Sequence, residues 1–130
     1  MVSLDGVTLT SYRLGRTSRP GRLIREDGAL IPEEWKPARV VRPSHRAQLG
    51  VHFLLVEEEL RVRPPHGLVV LGDSTRHRVE NSADLRQQVL ALAARLRAAR
   101  AEVTQPLPVS PWPSQCRRCG VREHCSQRRL

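Results

Sequence analysis

A continuous apolar run of four residues, Leu68-Val69-Val70-Leu71, most constrains how this chain folds. Such a run, bounded by turn signals, indicates a strand that is buried on both faces. Pro64-Pro65-His66-Gly67 predicts a turn before the run, and Gly72-Asp73-Ser74 predicts one after it. The chain then returns as a second strand over residues 77–80. These residues therefore predict the buried part of a sheet.

The segment before residue 40 predicts a hairpin. Glu26-Asp27-Gly28 is a strong signal for a tight turn, and it joins a short strand at Arg22–Arg25 to a longer one at Ala29–Lys36. Pro32 within the longer strand suggests a bulge, or a position that does not donate to the ladder. Farther upstream, we expect a strand at Leu9–Leu14 and a loop over the Arg-, Gly- and Pro-rich residues 15–21.

Two helices are predicted by apolar residues that recur at helical spacing. Ser44 is the expected N-cap of the first helix, which runs from His45 to about Leu60 and presents a stripe that includes Leu49 and Phe53. The second helix begins after Asn81 or Ser82 and runs to about Arg100. Its apolar positions start at Leu85, and the opposite face is rich in arginine.

The charge balance indicates a polyanionic partner. The net charge is +9, and the pI is about 11.2, a balance typical of proteins that bind nucleic acid. Aromatic residues make up only 3% of the chain, so DNA binding would depend mainly on phosphate contacts rather than on stacked bases. The alternative is a composition that is merely biased towards arginine. Because the sequence shows no signal peptide and no apolar run of membrane-spanning length, we expect a cytoplasmic protein with no membrane partner.

Lys36 is the only lysine, since the other 21 of the 22 basic Lys and Arg residues are arginine. In a strand, Glu34 and Lys36 point to the same face. A carboxylate beside a compact ammonium suits a hydrolytic metal site, where the carboxylate binds a hard cation such as Mg²⁺ and the ammonium stabilises charge on a phosphate. The alternative is a surface ion pair of little energetic value. Glu33 faces the other way, where a buried and unpaired carboxylate would be costly.

Three cysteines lie within ten residues of the C-terminal tail, at Cys116, Cys119 and Cys125. The Cys-x-x-Cys spacing lets two thiolates reach one metal ion, and neighbouring arginines favour the thiolate form. In a cytoplasmic chain these residues indicate a metal or cluster site rather than a disulfide framework. The spacing leaves zinc and iron–sulphur open. A fourth ligand could come from a partner chain or from one of the five histidines at positions 45, 52, 66, 77 and 124.

Several of these segments, taken in order, resemble the CRISPR-associated RecB-like exonucleases of the PD-(D/E)xK superfamily. The likeness is carried by Ile31-Pro32-Glu33-Glu34-Trp35-Lys36, Gln48-x-x-x-His52 and Val79-Glu80-Asn81-Ser82-Ala83-Asp84-Leu85-Arg86. A Pro-rich spacer over residues 104–113, which is expected to be extended, and Cys116-x-x-Cys119-x5-Cys125 complete the set. Each motif is weak alone, whereas the ordered set covers most of the chain.

The resemblance implies an α/β protein with a restriction-endonuclease-like mixed central sheet flanked by helices, followed by a cysteine-rich tail. We therefore expect a nuclease-like core over residues 1–103 and a spacer with the tail over residues 104–130. The family's roles carry over to Glu34 as metal ligand, Lys36 as catalytic lysine and Gln48 as active-site glutamine. The three cysteines would hold a 4Fe–4S cluster, with zinc as the runner-up. Mg²⁺ or Mn²⁺ would serve catalysis.

Three departures from the family pattern bear on activity. A metal-binding Asp is expected on the preceding strand, after a proline, but Gly21 follows Pro20 here. His52 stands where the family has a tyrosine, so its place in the catalytic set rests on position alone. The family's N-terminal helical region, which supplies a further cysteine, has no counterpart ahead of the predicted sheet. The resemblance is therefore to a shortened member, and the loss of a carboxylate predicts weak metal binding.

Three hypotheses follow from these observations. The first is a metal-dependent DNA exonuclease that processes spacer precursors beside the CRISPR integrase, with weak or lost activity. The second is a non-catalytic DNA-binding or assembly subunit of the same fold, with a metal-stabilised tail. The third is a zinc-ribbon-like interaction module. The lone Lys36 favours the first two, and Gly21 favours the second over the first.

Overall fold

A computed structural model of the protein describes residues 2–4, 7–11, 16–18, 20–102, 104 and 108–129. These residues form an α/β structure with a mixed sheet. The strands are β1 (Val2–Leu4), β2 (Leu9–Ser11), β3 (Arg16–Ser18), β4 (Arg22–Glu26), β5 (Ala29–Trp35), β6 (His66–Val70) and β7 (Arg76–Glu80). The helices are α1 (Pro43–Leu60), α2 (Ala83–Ala101), α3 (Pro113–Arg118) and a 3-10 turn at Arg122–His124.

The central sheet has five strands in the order β1-β4-β5-β6-β7, and β2 pairs with β3 in a separate ribbon. Strands β5 and β6 are parallel, whereas the other neighbouring pairs in the sheet are antiparallel. A parallel pair needs a long crossover, and α1 supplies it. The carboxyl ends of β5 and β6 therefore lie at the same edge of the sheet.

The predicted hairpin is present as β4 and β5. The two-residue turn between them consists of Asp27, with φ of 50°, and Gly28, with φ of 80°. Two left-handed residues in succession make the turn whose twist matches that of the flanking strands. The register places Arg22 opposite Glu33 and Leu23 opposite Pro32.

The largest core cluster lies between the sheet and the helices. Leu49, Phe53 and Leu54 of α1 pack there with Val69 of β6 and with apolar residues of β7 and α2. Gly50 lets the helices approach closely, because a Cβ at this position would lie 2.6 Å from Cγ2 of Val89. This packing fixes one face of α1 against the sheet.

The chain divides into two compact units, over residues 1–95 and 96–130. The boundary predicted from the sequence lies later, between residues 103 and 104. The five-stranded sheet, α1 and the ribbon belong to the first unit. In the second unit, Cys116 is buried in α3, and its Sγ accepts a hydrogen bond from the Arg129 amide at 3.2 Å.

The structure corrects three local predictions. His66 and Gly67, expected in a turn, are the first two residues of β6. Helix α1 begins at Pro43 with Arg42 as N-cap, not after Ser44, because proline at the first helical position needs no amide partner. Arg16–Ser18, expected to be part of a loop, form β3 through pairing with β2. The predicted strand at residues 9–14 is present as Leu9–Ser11; residues 12–14, and spacer residues 105–107, lie outside the described residues.

Candidate functional site

Glu34 lies on the face of the sheet that packs against α1, because it pairs across the parallel ladder with the core residue Val69. The side chain is nearly buried, with 7% of the residue exposed. Its Oε1 accepts a hydrogen bond from the Gly21 amide at 2.9 Å. Burial raises the pKa of Glu34, while the Gly21 amide and the Lys36 charge act in the opposite direction.

His52 of α1 lies directly against this carboxylate. The residue is fully buried, and its Nδ1 is 3.1 Å from Oε1 of Glu34. These two atoms are not aligned for a hydrogen bond, so Nδ1 has no hydrogen-bond partner. The other ring nitrogen, Nε2, lies 3.0 Å from the Ser18 hydroxyl. Burial, assisted by the Lys36 charge, lowers the pKa of His52 to about 4. The ring is therefore uncharged at neutral pH.

Lys36 follows β5 directly, and its amide continues the ladder by donating to the Val70 carbonyl at 2.8 Å. Its ammonium acts electrostatically on three groups, since it lowers the pKa values of Glu34, His52 and His45. The pKa of His45 is lowered first by burial and then by Lys36 and Arg42. Lys36 thus supplies positive charge to a cluster in which His52 is neutral at pH 7.

The half-buried Gln48 lies on the same face of α1 as the two histidines of the cluster. Residues 45, 48 and 52 are separated by three and four positions, which places them in one row along a helix. The structure therefore brings Glu34, Lys36 and His52 together, with Gln48 one turn away from His52.

Ser18, His52 and Glu34 stand in the order of a nucleophile, a base and an orienting acid. In such a triad, the acid holds the imidazole through a hydrogen bond to Nδ1. Here that bond is missing, and an imidazole with a pKa near 4 is a weak base at neutral pH. The arrangement does not support acyl transfer.

Gly21 directly precedes β4, the strand next to β5, and lies beside Glu34. A Cβ added to Gly21 would lie 3.7 Å from Oε2 of Glu34 and 3.0 Å from the Glu33 carbonyl oxygen. The φ of Gly21 is not in the left-handed region, because among the described glycines a positive φ occurs at Gly28 alone. A side chain at position 21 would therefore point into the space next to the carboxylate.

The residues around Glu34 are a poor match for a resident Mg²⁺ ion. Mg²⁺ prefers octahedral oxygen ligands, and Glu34 is the carboxylate that faces this space, with one oxygen already engaged by Gly21. Among the described residues there is no group of three or more His, Cys, Asp or Glu residues arranged to hold a metal ion. The same finding applies to the described cysteines, so the predicted cluster at Cys116, Cys119 and Cys125 stays a prediction.

Glu33 occupies the opposite face of the sheet and is fully buried. Its carboxylate is not unpaired, contrary to the concern raised by the sequence. Arg76 donates to Oε2, the Arg22 guanidinium lies 3.7 Å from Oε1, and the indole N–H of Trp35 donates to Oε1 at 3.0 Å. Two cations and one neutral donor thus offset the cost of burying this charge.

Sequence reasoning missed two members of the site. His45 could have been found, because it is seven residues before His52 and three before Gln48, and so lies on their helix face. Ser18 gave no such signal, since it is 34 residues from His52 in sequence and was assigned to a loop.

The sequence matches no protein-family model and no curated protein. Fifteen chains of solved structures match the fold. One of them, the crystal structure of SSO0001, has a TM-score of 0.57 and 17% sequence identity, and the alignment covers 98% of this chain and 62% of that chain. This chain thus spans about 62% of SSO0001. At this identity the likeness concerns the fold alone.

None of the helices in the described part of the chain is long and apolar enough to cross a membrane.

Proposed function

We propose that this chain is a DNA-binding protein with a restriction-endonuclease-like fold that serves CRISPR adaptation, with metal-dependent DNA cleavage that is weak or lost. The observation that carries this proposal is the pairing of Glu34 with Gly21. A side chain at position 21 would lie beside Oε2 of Glu34, which supports the expectation from the resemblance that a metal-binding Asp would stand here.

The chemistry of the neighbouring residues supports a phosphate ligand. Lys36 supplies a compact cation close to Glu34, and His52 adds no charge at neutral pH. A phosphodiester group would therefore contact Lys36 as the cation next to Glu34, and Gln48 supplies a neutral hydrogen-bonding group one helical turn from His52. A resident divalent ion would supply charge stabilisation to this phosphate, but a single carboxylate binds it weakly.

The affinity for DNA is expected to be mainly electrostatic. The chain has a net charge of +9 and few aromatic residues, so binding would release counterions from DNA and weaken steeply as salt increases. We expect a log–log slope of several units for the binding constant against salt.

The deciding experiment combines metal analysis, DNA binding and DNA cleavage on one preparation. We expect salt-dependent binding of duplex DNA, together with little or no cleavage in Mg²⁺ or Mn²⁺. Glu34→Gln should abolish any residual cleavage while preserving binding, and Glu80→Gln, a change in an exposed carboxylate paired with Arg78, is the matched control. Absence of DNA binding at low salt would refute the proposal, and robust cleavage that survives Glu34→Gln would refute the assigned site.

A second candidate is a non-catalytic assembly subunit that acts through its tail, and the compact unit over residues 96–130 favours it. Three thiols and a cluster of arginines lie within this unit. We propose that they bind a 4Fe–4S cluster, or zinc, with a fourth ligand from a histidine or from a partner chain such as a protein of the CRISPR integrase complex. An absorbance spectrum of anaerobically purified protein, together with metal analysis, tests this candidate and the zinc-ribbon-like alternative.

A further inference from the structure

The buried Glu33 is not explained by the site around Glu34, because its carboxylate points to the other face of the sheet. It is fully buried, and burying a carboxylate costs several kcal/mol unless its partners are well placed. Arg76 and Arg22 compensate its charge and remain about half exposed, with 48% and 42% of their side chains accessible. The third partner is the indole N–H of Trp35, at 3.0 Å.

The hydrogen bond to Glu33 fixes the orientation of an exposed aromatic ring. Trp35 remains 58% exposed although its N–H is bound to a buried group. The ring therefore cannot rotate freely, and it presents a fixed apolar surface to solvent. A large apolar ring held in this way requires less ordering when a flat ligand stacks on it.

A cleft adjoins this ring at the carboxyl ends of the parallel strands β5 and β6. It measures about 260 Å³ and is lined by Trp35, Lys36, Pro37, Leu71, Gly72 and Ser74. Crevices beyond the carboxyl ends of strands are the usual ligand sites of open α/β sheets. A cleft of this size lies just below the range of about 300–1,000 Å³ that holds drug-sized molecules, so it suits one base rather than a base pair.

The groups around the cleft select a flat ligand that carries negative charge. Trp35 and Pro37 offer apolar surface, Lys36 offers a cation, and the neighbouring cleft of about 580 Å³ includes Arg39. Asp73 also lines that neighbouring cleft, where its carboxylate accepts hydrogen bonds from the Thr75 amide and hydroxyl. These hydrogen bonds favour the charged form of Asp73, so a phosphate is expected on the Lys36 side, away from this acid.

We propose that this cleft binds a single unpaired nucleotide at the end of a DNA duplex, with its base stacked on Trp35 and its phosphate at Lys36. The inference rests on the proposed DNA-binding function and adds to it a preference for frayed or overhanging ends. Glu33 is a positioning residue in this arrangement, since it holds the indole and does not touch the nucleotide.

The chain contains two tryptophans, Trp35 and Trp112, so Trp112→Phe leaves Trp35 as the single fluorescent reporter. The probes are a short duplex with one unpaired nucleotide at its 3′ or 5′ end and a blunt duplex of the same sequence. We expect the overhang to quench Trp35 fluorescence and the blunt duplex to leave it nearly unchanged. Binding of both probes is measured in parallel by the anisotropy of a dye on the far end of the duplex.

Trp35→Leu in the otherwise unchanged chain should weaken binding of the overhang at least about fivefold, since stacking of one base on an aromatic ring contributes about 1–3 kcal/mol. The affinity for blunt duplex should not change. Trp35→Phe keeps a stacking surface but removes the N–H, and it should lose part of the preference for the overhang.

The outcomes separate this inference from the proposed function. Equal quenching by both probes, or an unchanged preference for the overhang in Trp35→Leu, overturns the inference. If the anisotropy still changes on adding DNA in that case, the proposed DNA binding stands. Absence of any anisotropy change at low salt overturns the proposed function and the inference with it. If Trp35→Leu fails to fold, the quenching comparison in Trp112→Phe decides alone.

Discussion

Acid should destabilise this fold through His52. The imidazole is fully buried, and burial, with the Lys36 charge, lowers its pKa from 6.5 to about 4. In the unfolded chain the ring accepts a proton near pH 6.5, whereas in the folded chain it does so only near pH 4. The His52 contribution to the free energy of unfolding therefore keeps its full value above pH 6.5 and is lost as the pH falls towards 4. A shift of this size corresponds to about 3 kcal/mol.

Other groups that face His52 also contribute to the pH profile. The pKa of Glu34 is raised, mainly by burial, so protonation of this carboxyl stabilises the folded chain as the pH falls and opposes the His52 effect. The pKa of His45 is lowered, so it acts in the same direction as His52. The His52 contribution must therefore be isolated by comparison between variants.

Urea unfolding of the natural chain, His52→Gln and His45→Gln between about pH 7 and about pH 4.5 provides that comparison. The natural chain should lose about 2–3 kcal/mol more than His52→Gln over this range. His45→Gln should reduce the acid effect less than His52→Gln does, because the His45 ring is more exposed. An NMR titration should show no protonation of the His52 ring above about pH 5. Parallel unfolding profiles for the natural chain and His52→Gln, or a ring that titrates near its ordinary pKa, would refute this account of the buried site.

Three further predictions concern metal and catalysis. Gly21→Asp should increase Mn²⁺ binding by titration calorimetry, because it adds a second carboxylate beside Glu34, whereas Gly120→Asp, which has open space around it, should not; equal binding by both variants would contradict this. Lys36→Arg should reduce any DNA cleavage nearly as much as Lys36→Ala, since a planar guanidinium cannot take the place of a compact ammonium; full activity in Lys36→Arg would remove the support for a catalytic lysine. Cys119→Ser should reduce the metal content and the melting temperature, and unchanged metal stoichiometry would exclude a ligand role.

Local sequence signals were sufficient for the hairpin and for the two long helices. The turn at Asp27 and Gly28 has its own backbone requirement, namely two successive residues with positive φ, and only a few residue types meet it. Helices α1 and α2 follow from apolar residues at helical spacing, which stay together whatever the helix packs against. The grouping of Glu34 with His52 was likewise accessible, since the helix directly follows the strand in the chain.

Contacts between distant parts of the chain were not accessible in this way. Glu33 and its partner Arg76 are 43 residues apart, and nothing in either local segment indicates the pairing. Strand β3 arises from an Arg-rich segment with turn residues, because pairing with β2 overrides its local preference. The same pairing brings Ser18 to His52, so the error in the local prediction also concealed a member of the site.

The two adjacent glutamates show why the site is better assigned to one face of the sheet than to the other. Glu33 has two arginines and an indole N–H as partners, so its charge is compensated within the described chain. Glu34 has one backbone N–H, a raised pKa and a neutral imidazole whose Nδ1 lacks a hydrogen-bond partner. A ligand that brought positive charge or a hydrogen-bond donor to Oε2 of Glu34 would stabilise this carboxylate, whereas Glu33 already has its partners within the described chain. A buried carboxylate whose pKa stays raised despite the Gly21 amide and the Lys36 charge is typical of functional positions.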